Sequence, residues 1–269
     1  MSNTTDGVSA FIVKMKQEEM NILVPKKLEE IERQYKIEIL WAVESGSRSW
    51  GFASPDSDFD VRFIYKRPIN EYLKLNVNRD VIELPVDDTW DVNGWDLDKT
   101  LKLLNRSNPT FYEWMNSPII YRKTAFRKRI EPLLELCFSE KRMIHHYLNT
   151  AKNNLKRNFC ADIIKPKKYF YAIRPVLACE WVMTKHSMPP VLFEDLANEM
   201  LPASMKNHIE RLLELKVSAP ENFTIHQVSE INDYLYEEIR KISSYISLLD
   251  ESSDNRWNQL NDFFYKEIS

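Results

Sequence analysis

Hydrophobic positions change their spacing several times along this chain. Near the start they recur as on a helix. Val8, Phe11, Ile12 and Met15 fit one helix face, and Pro25 is placed to open a second helix. From Ile37 to Val43 the run is continuous, apolar and partly β-branched, which predicts a buried strand ending at Glu44-Ser45-Gly46-Ser47. A second strand is predicted from about Ser57 to Tyr65. Residues 79–92, RDVIELPVDDTWDV, predict two short strands broken near Pro85, where a ladder donor is missing. After Gly94 helical spacing returns with a helix from Trp95 carrying Leu97, Leu101 and Leu104. Asn108-Pro109 then supplies an N-cap and a proline at the first helical position. The remainder reads almost entirely as helix.

This pattern predicts an α+β chain, with a mixed α/β domain over 1–122 and an α-helical domain over 123–269. A length of 269 residues with 43% hydrophobic side chains supplies an ordinary buried core for two such bodies. No apolar run approaches the roughly 18 residues of a membrane span, so no membrane partner is expected. The opening MSNTTDGVSAF lacks a basic start and an apolar stretch, which points to the cytoplasm. Cys137, Cys160 and Cys179 are far apart and lack metal-ligand spacing, as expected of reduced structural thiols.

Charge adds a feature that the hydrophobic pattern does not show. The formal net charge is −3, yet residues 118–185 hold fifteen Lys or Arg against five Asp or Glu. A basic middle between acidic flanks suits a surface that meets phosphates; a solvated helical face paired with the acidic segments is the alternative.

Candidate chemistry begins at the glycines. The chain has only 4, and Gly46 and Gly51 both fall in the turn Ser45-Gly46-Ser47-Arg48-Ser49-Trp50-Gly51 between the first two strands. A glycine followed by serine lets backbone N–H groups approach an anion, and the Ser47 hydroxyl can donate one more hydrogen bond. A plain tight turn would look the same. In the strand that follows, Asp58 and Asp60 must share one face while Phe59, Val61, Phe63 and Tyr65 take the other. Two carboxylates about 6 to 7 Å apart along a strand repel one another and call for a cation. Arg62, on the same face, would serve structurally; a hard divalent ion beside a phosphate cradle fits the oxygen set better.

A Gly-Ser, a short loop ending in glycine and then Asp-x-Asp on a strand resembles the DNA polymerase beta nucleotidyltransferase superfamily. More narrowly, ESGSRSWGFASPDSDFDVRFIY at 44–65, DVNGWDLDKTLKLLNRSNPTFYEWMNSPIIY at 91–121 and KKYFYAIRPVLACEWV at 167–182 resemble its RNA-repair-associated RlaP-like branch. The resemblance implies a polymerase beta-like mixed sheet and a third acid on a later strand, for which Asp91 is the candidate, with Asp88, Asp96 and Glu83 as rivals. It also implies nucleotidyl transfer with two Mg²⁺ ions, or Mn²⁺. Asp58, Asp60 and Asp91 would be both catalytic and metal-holding, and Gly46, Ser47 and Arg48 would bind the NTP. Asp91 would also take the proton of the attacking hydroxyl.

In the helical half, Lys168, Tyr171 and Arg174 step at three-residue intervals, so Lys168 and Arg174 are expected to contact phosphate from one helix face; an amphipathic packing helix is the alternative. Adjacent His145 and His146 point about 100° apart on a helix and cannot share one metal. Trp50 and Phe52 are placed to gate a nucleotide pocket or simply to pack.

These features lead to an enzyme that moves a nucleotide from an NTP to an RNA or tRNA end. The same chemistry on a small molecule or a protein hydroxyl is the second reading. In a third, a non-catalytic module, Asp58 and Asp60 merely pair with Arg48 or Arg62. A two-metal nuclease also uses paired carboxylates, but the phosphate-gripping turn argues against it.

Overall fold

The computed structural model describes residues 17–54, 57–76, 78–85, 90–220, 222–250 and 256–269. The predicted helix face at Val8, Phe11, Ile12 and Met15 lies outside these residues, as does Asp88. The first half contains α1 (Gln17–Tyr35), β1 (Glu38–Glu44), α2 (Gly46–Ser49), β2 (Phe59–Lys66), α3 (Ile69–Tyr72), β3 (Val81–Glu83) and β4 (Trp90–Asp96), then α4 (Leu97–Asn105), α5 (Pro109–Met115) and β5 (Ile120–Arg122). There follow α6 (Phe126–Cys137), α7 (Glu140–Asn158), β6 (Ile163–Ile164), α8 (Pro166–Lys185), α9 (Phe193–Met200), α10 (Ala203–Ser218), β7 (Ile225–His226), α11 (Ser229–Ile246) and α12 (Trp257–Ile268). The chain is α+β, as its sequence pattern predicts. None of the described helices is long and apolar enough to cross a membrane.

The main sheet has the strand order β3-β4-β2-β1-β5. β2 and β4 run parallel while the other neighbours are antiparallel, so the sheet is mixed. One face packs on α1, where Met20, Val24, Leu28 and Ile31 meet Phe59, Val61, Phe63 and Tyr65. The opposite face, with Leu40, Trp41, Val43 and Ile64, joins a core that continues through α4 to α8 and on to Leu260 of α12. A bulge between Ile39 and Trp41 turns the consecutive Leu40 and Trp41 toward that same core.

Two local expectations are corrected. Pro25 lies inside a single helix rather than opening a second one. An interior proline costs a helix about 3 kcal/mol in isolation, but the buried residues on either side of Pro25 hold the helix on the sheet. β4 continues past Gly94 to Asp96, and α4 begins at Leu97 rather than Trp95. Gly94 pairs with Phe63 across the parallel ladder, and a Cβ there would lie 2.1 Å from the Phe63 ring. This glycine admits an aromatic side chain instead of ending the strand. The predicted cap at Asn108 is present: its side chain accepts from the Thr110 N–H at 2.9 Å.

The last helix returns to the first half. Lys66 Nζ, at the end of β2, donates to the Glu267 carbonyl at 2.8 Å, and Arg129 Nη2 donates to Glu267 Oε2 at 2.7 Å.

Candidate active site

The parallel pairing of β2 with β4 brings two distant acids together. Its register sets Asp60 opposite Asp91, and residues opposite each other in adjacent strands point to the same face. That face is the one turned toward the helical body. Between the two carboxylates stands Arg62: one Nη2 donates to Asp60 Oδ1 at 2.9 Å and to Asp91 Oδ2 at 2.7 Å. The guanidinium is fixed from behind by the carbonyls of Val61 and Asp91, at 3.1 and 2.8 Å from Nη1. Asp58 is exposed just before β2. Burial pushes the Asp60 carboxyl above its ordinary value; Arg62 opposes the rise, and Asp91 and Asp58 add to it.

The turn over residues 45–51 forms the wall of this site. It winds as one helical turn, α2, with Gly46 at φ +63 and Gly51 at φ +85. Gly46 is required for two reasons: its backbone lies in the left-handed region, and a Cβ there would lie 2.2 Å from Asp60 Oδ2. Ser47 follows it, half-buried on the same turn.

Two arginines expected to bind phosphate are committed to protein partners. Arg48 donates to the carbonyls of Ser57 and Asp58 at 2.7 and 3.2 Å and lies 3.7 Å above the Phe59 ring. It therefore fixes the entry to β2. Arg174 is 2% exposed; it donates to Glu113 Oε1 at 2.8 Å and lies 4.6 Å from the Trp50 ring. Tyr147 donates to the same Glu113 oxygen at 2.9 Å, and the Phe193 N–H donates to the Trp50 carbonyl at 2.9 Å. Arg174 thus holds the far end of the turn rather than standing open to a phosphate. Lys168 does share its face with Tyr171, its Nζ 5.4 Å from the ring, and Tyr171 meets Trp50 edge-on at 6.1 Å.

The rival acids have other work. Asp96 caps α4 and pairs with Arg67 at 3.0 Å, five residues along the strand from Asp91. Glu83 pairs with Arg79 and accepts from Asn93 at 3.2 Å. One acid escapes a reading of the sequence. Glu44 closes β1 fully buried, accepting from the Asp60 N–H at 2.7 Å and from the Tyr121 hydroxyl at 2.6 Å. Burial raises its carboxyl to about 7, against the pull of those two hydrogen bonds. Its only signal is a carboxylate terminating an apolar run, which an exposed strand end would also show.

Among the described residues no three His, Cys, Asp or Glu side chains form a ready-made metal group. The donor set nevertheless suits a hard divalent cation. It is made of carboxylates alone, Arg62 occupies one oxygen of each of two, and the absent Gly46 side chain leaves room at Asp60 Oδ2.

The chain also matches a known family. Residues 20–266 match the model of a family described as RlaP, RNA repair pathway DNA polymerase beta family. The uncharacterized protein YcgL of Bacillus subtilis (strain 168) is 38% identical over 237 residues, covering 87% of this chain and 91% of that protein. A solved structure, the nucleotidyltransferase-like protein from Exiguobacterium sibiricum 255-15, is 11% identical with a TM-score of 0.32, over 91% of this chain and 79% of that one.

Proposed function

This chain belongs to the RNA repair pathway DNA polymerase beta family, RlaP, and on that premise we propose that it transfers a nucleoside monophosphate from an NTP to a hydroxyl at an RNA or tRNA end. The acceptor oxygen forms a bond to the α-phosphorus, the bond from that phosphorus to the bridging oxygen breaks, and pyrophosphate leaves. The observation that carries the reading is the pairing of Asp60 with Asp91 beside a glycine whose missing Cβ exposes one Asp60 oxygen.

Asp58, Asp60 and Asp91 would hold Mg²⁺, or Mn²⁺ in its place. When bound, the metal neutralises triphosphate charge and lowers the pKa of the attacking hydroxyl. The chain's own groups do the rest. Gly46 and Ser47 offer backbone and hydroxyl donors to the terminal phosphates, and Lys168 adds charge from the helical side. Arg62 keeps Asp60 and Asp91 at a fixed separation by holding one oxygen of each, and Asp91 accepts the hydroxyl proton. Two guanidinium groups, Arg62 and Arg48, against three carboxylates still leave the cluster net negative, which favours a cation-loaded site over a purely structural ion pair.

The test is transfer of label from each α-labelled NTP into RNA with Mg²⁺, with the Asp58→Ala, Asp60→Ala double variant as control. Label in RNA that the variant abolishes supports the reading. Mg²⁺-dependent NTP binding without label in RNA moves the acceptor to a small molecule or a protein hydroxyl. No Mg²⁺-dependent NTP binding at all leaves Arg62 as a structural counter-ion and refutes the enzyme.

A further inference from the structure

Two adjoining cavities lie on the helical side of the turn over residues 45–51. The larger, about 680 Å³, runs open along α7 and is lined by Arg106, Lys141 and Arg142, then by His145, Asn149 and other uncharged polar side chains, with no carboxylate on its walls. The smaller, about 280 Å³, sits where α5, α7 and α8 meet the turn and is walled by Trp50, Tyr171, Pro109 and the ion pair of Arg174 with Glu113. His146 and Thr150 line both, so the two adjoin across these side chains. The smaller lies one helical turn from the acids, since Trp50 N–H donates to the Gly46 carbonyl at 3.1 Å and Gly46 abuts Asp60.

The two cavities differ in chemistry. Lys141 and Arg142 each donate to a backbone carbonyl, of Leu249 at 2.6 Å and of Asn105 at 2.9 Å, so they act here chiefly as fixed charges, and with Arg106 and no carboxylate on the wall they suit successive phosphates. The aromatic surface of Trp50 and Tyr171, which meet edge-on, suits a base. Arg174 contributes a further demand: its Nε–H is buried with no hydrogen-bond partner among the described residues. Such a group costs free energy until an acceptor arrives, and a base carbonyl is one.

We propose that this pair of cavities is the acceptor site for single-stranded RNA: phosphodiesters lie along α7 over Arg106, Lys141 and Arg142, and a base enters the smaller cavity against the Trp50–Tyr171 pair. The strand end is thereby delivered beside Asp60 and Asp91. The inference rests on the nucleotidyltransferase reading for its direction, but the binding itself needs neither NTP nor metal.

The experiment is fluorescence anisotropy of a short fluorescein-labelled single-stranded RNA with the full chain in EDTA, over a range of salt. The expected result is binding that weakens linearly in log salt. Arg106→Ala, Lys141→Ala should reduce the slope by about 0.7 for each phosphate that the wall no longer neutralises. Arg106 is exposed, so Arg106→Glu is a second variant that keeps the fold, and it should weaken binding further. Trp50→Ala should weaken binding about fivefold or more with the slope unchanged. The charge-matched Lys27→Ala, Arg33→Ala, on α1 behind the sheet, should behave as the unaltered chain. Absence of RNA binding, or equal weakening by the α1 pair, overturns the proposal. NTP binding measured separately with Mg²⁺ distinguishes the two failures: if it persists while RNA binding is absent, the acceptor site is wrong and the catalytic reading stands. RNA binding without NTP binding does the reverse.

Discussion

The β2–β4 pair carries an aspartate–arginine arrangement at each end, and the two ends are built on opposite principles. At the far end Asp96 is 3% exposed, and each of its oxygens is filled: Arg67 Nε donates to Oδ2 at 3.0 Å, and Tyr72 hydroxyl and Asp98 N–H donate to Oδ1 at 2.8 and 3.1 Å. At the near end one Arg62 serves both Asp60 and Asp91, and their side chains are 31% and 38% exposed. One carboxylate is saturated by protein and dry; two others are under-supplied with cation and open. The same residue types at the two ends therefore do different jobs, and ligand supply, not residue identity, separates a helix cap from the proposed reaction centre.

The largest effects should come from exchanging the two ends. Asp60→Ala is expected to lower nucleotide transfer by about a thousandfold or more, since it removes several kcal/mol of charge stabilisation at the reacting phosphate, while leaving the thermal midpoint near that of the native chain. Asp96→Ala should do the opposite. It strands Arg67 without its partner and costs roughly 3 kcal/mol of stability, read by denaturant unfolding, with turnover of the folded fraction little changed. Equal stability losses at the two ends would break the comparison.

Gly46→Ala sharpens it next. The new methyl must displace the Asp60 carboxylate and the backbone must keep φ +63, so about 1–2 kcal/mol of stability is lost together with most of the activity, whereas alanine at an exposed helix position would cost far less. Arg62→Ala should follow. With the shared guanidinium gone, Asp60 and Asp91 repel, the midpoint falls by an amount worth about 1 kcal/mol, and added Mg²⁺ recovers more stability than it adds to the native chain. A calorimetric scan with and without Mg²⁺ reads both.

The smallest effect concerns an acid with no arginine at all. Burial, reinforced by Glu238, raises the Glu180 carboxyl to about 8, against the pull of Tyr234 and Lys241. The folded chain therefore holds this proton more tightly than the unfolded chain, whose carboxyl titrates near 4.5. Stability falls as pH rises between those values. Glu180→Gln should flatten that decline by a few degrees of midpoint, and an unchanged pH profile would show that Glu180 does not set it.

Much of the near end is legible from sequence because its rules are local. Alternation along β2 puts Asp60 on the face opposite Phe59 and Val61, Asp58 lies just before the strand, and glycine scarcity marks the turn at Gly46. What is not legible is set by pairing across the chain. No spacing reveals that Asp60 lies beside Asp91 rather than Glu83, that Arg62 bridges the two, or that Arg174 turns inward to Glu113. Glu44 stays hidden for the same reason: its partners are the Asp60 backbone and Tyr121, 77 residues away. In the fold, Pro25 misleads because tertiary packing of α1 outweighs a local propensity, and Gly94 because its small size serves Phe63 rather than a turn.

The bond from Lys66 to the carbonyl of Glu267 spans 201 positions of sequence. A contact of such separation must close a long loop before it gains anything, so it forms after contacts nearer in sequence. The strand that carries Asp60 is thereby tied to a helix far downstream, so the placing of that carboxylate depends on a segment distant from it in sequence.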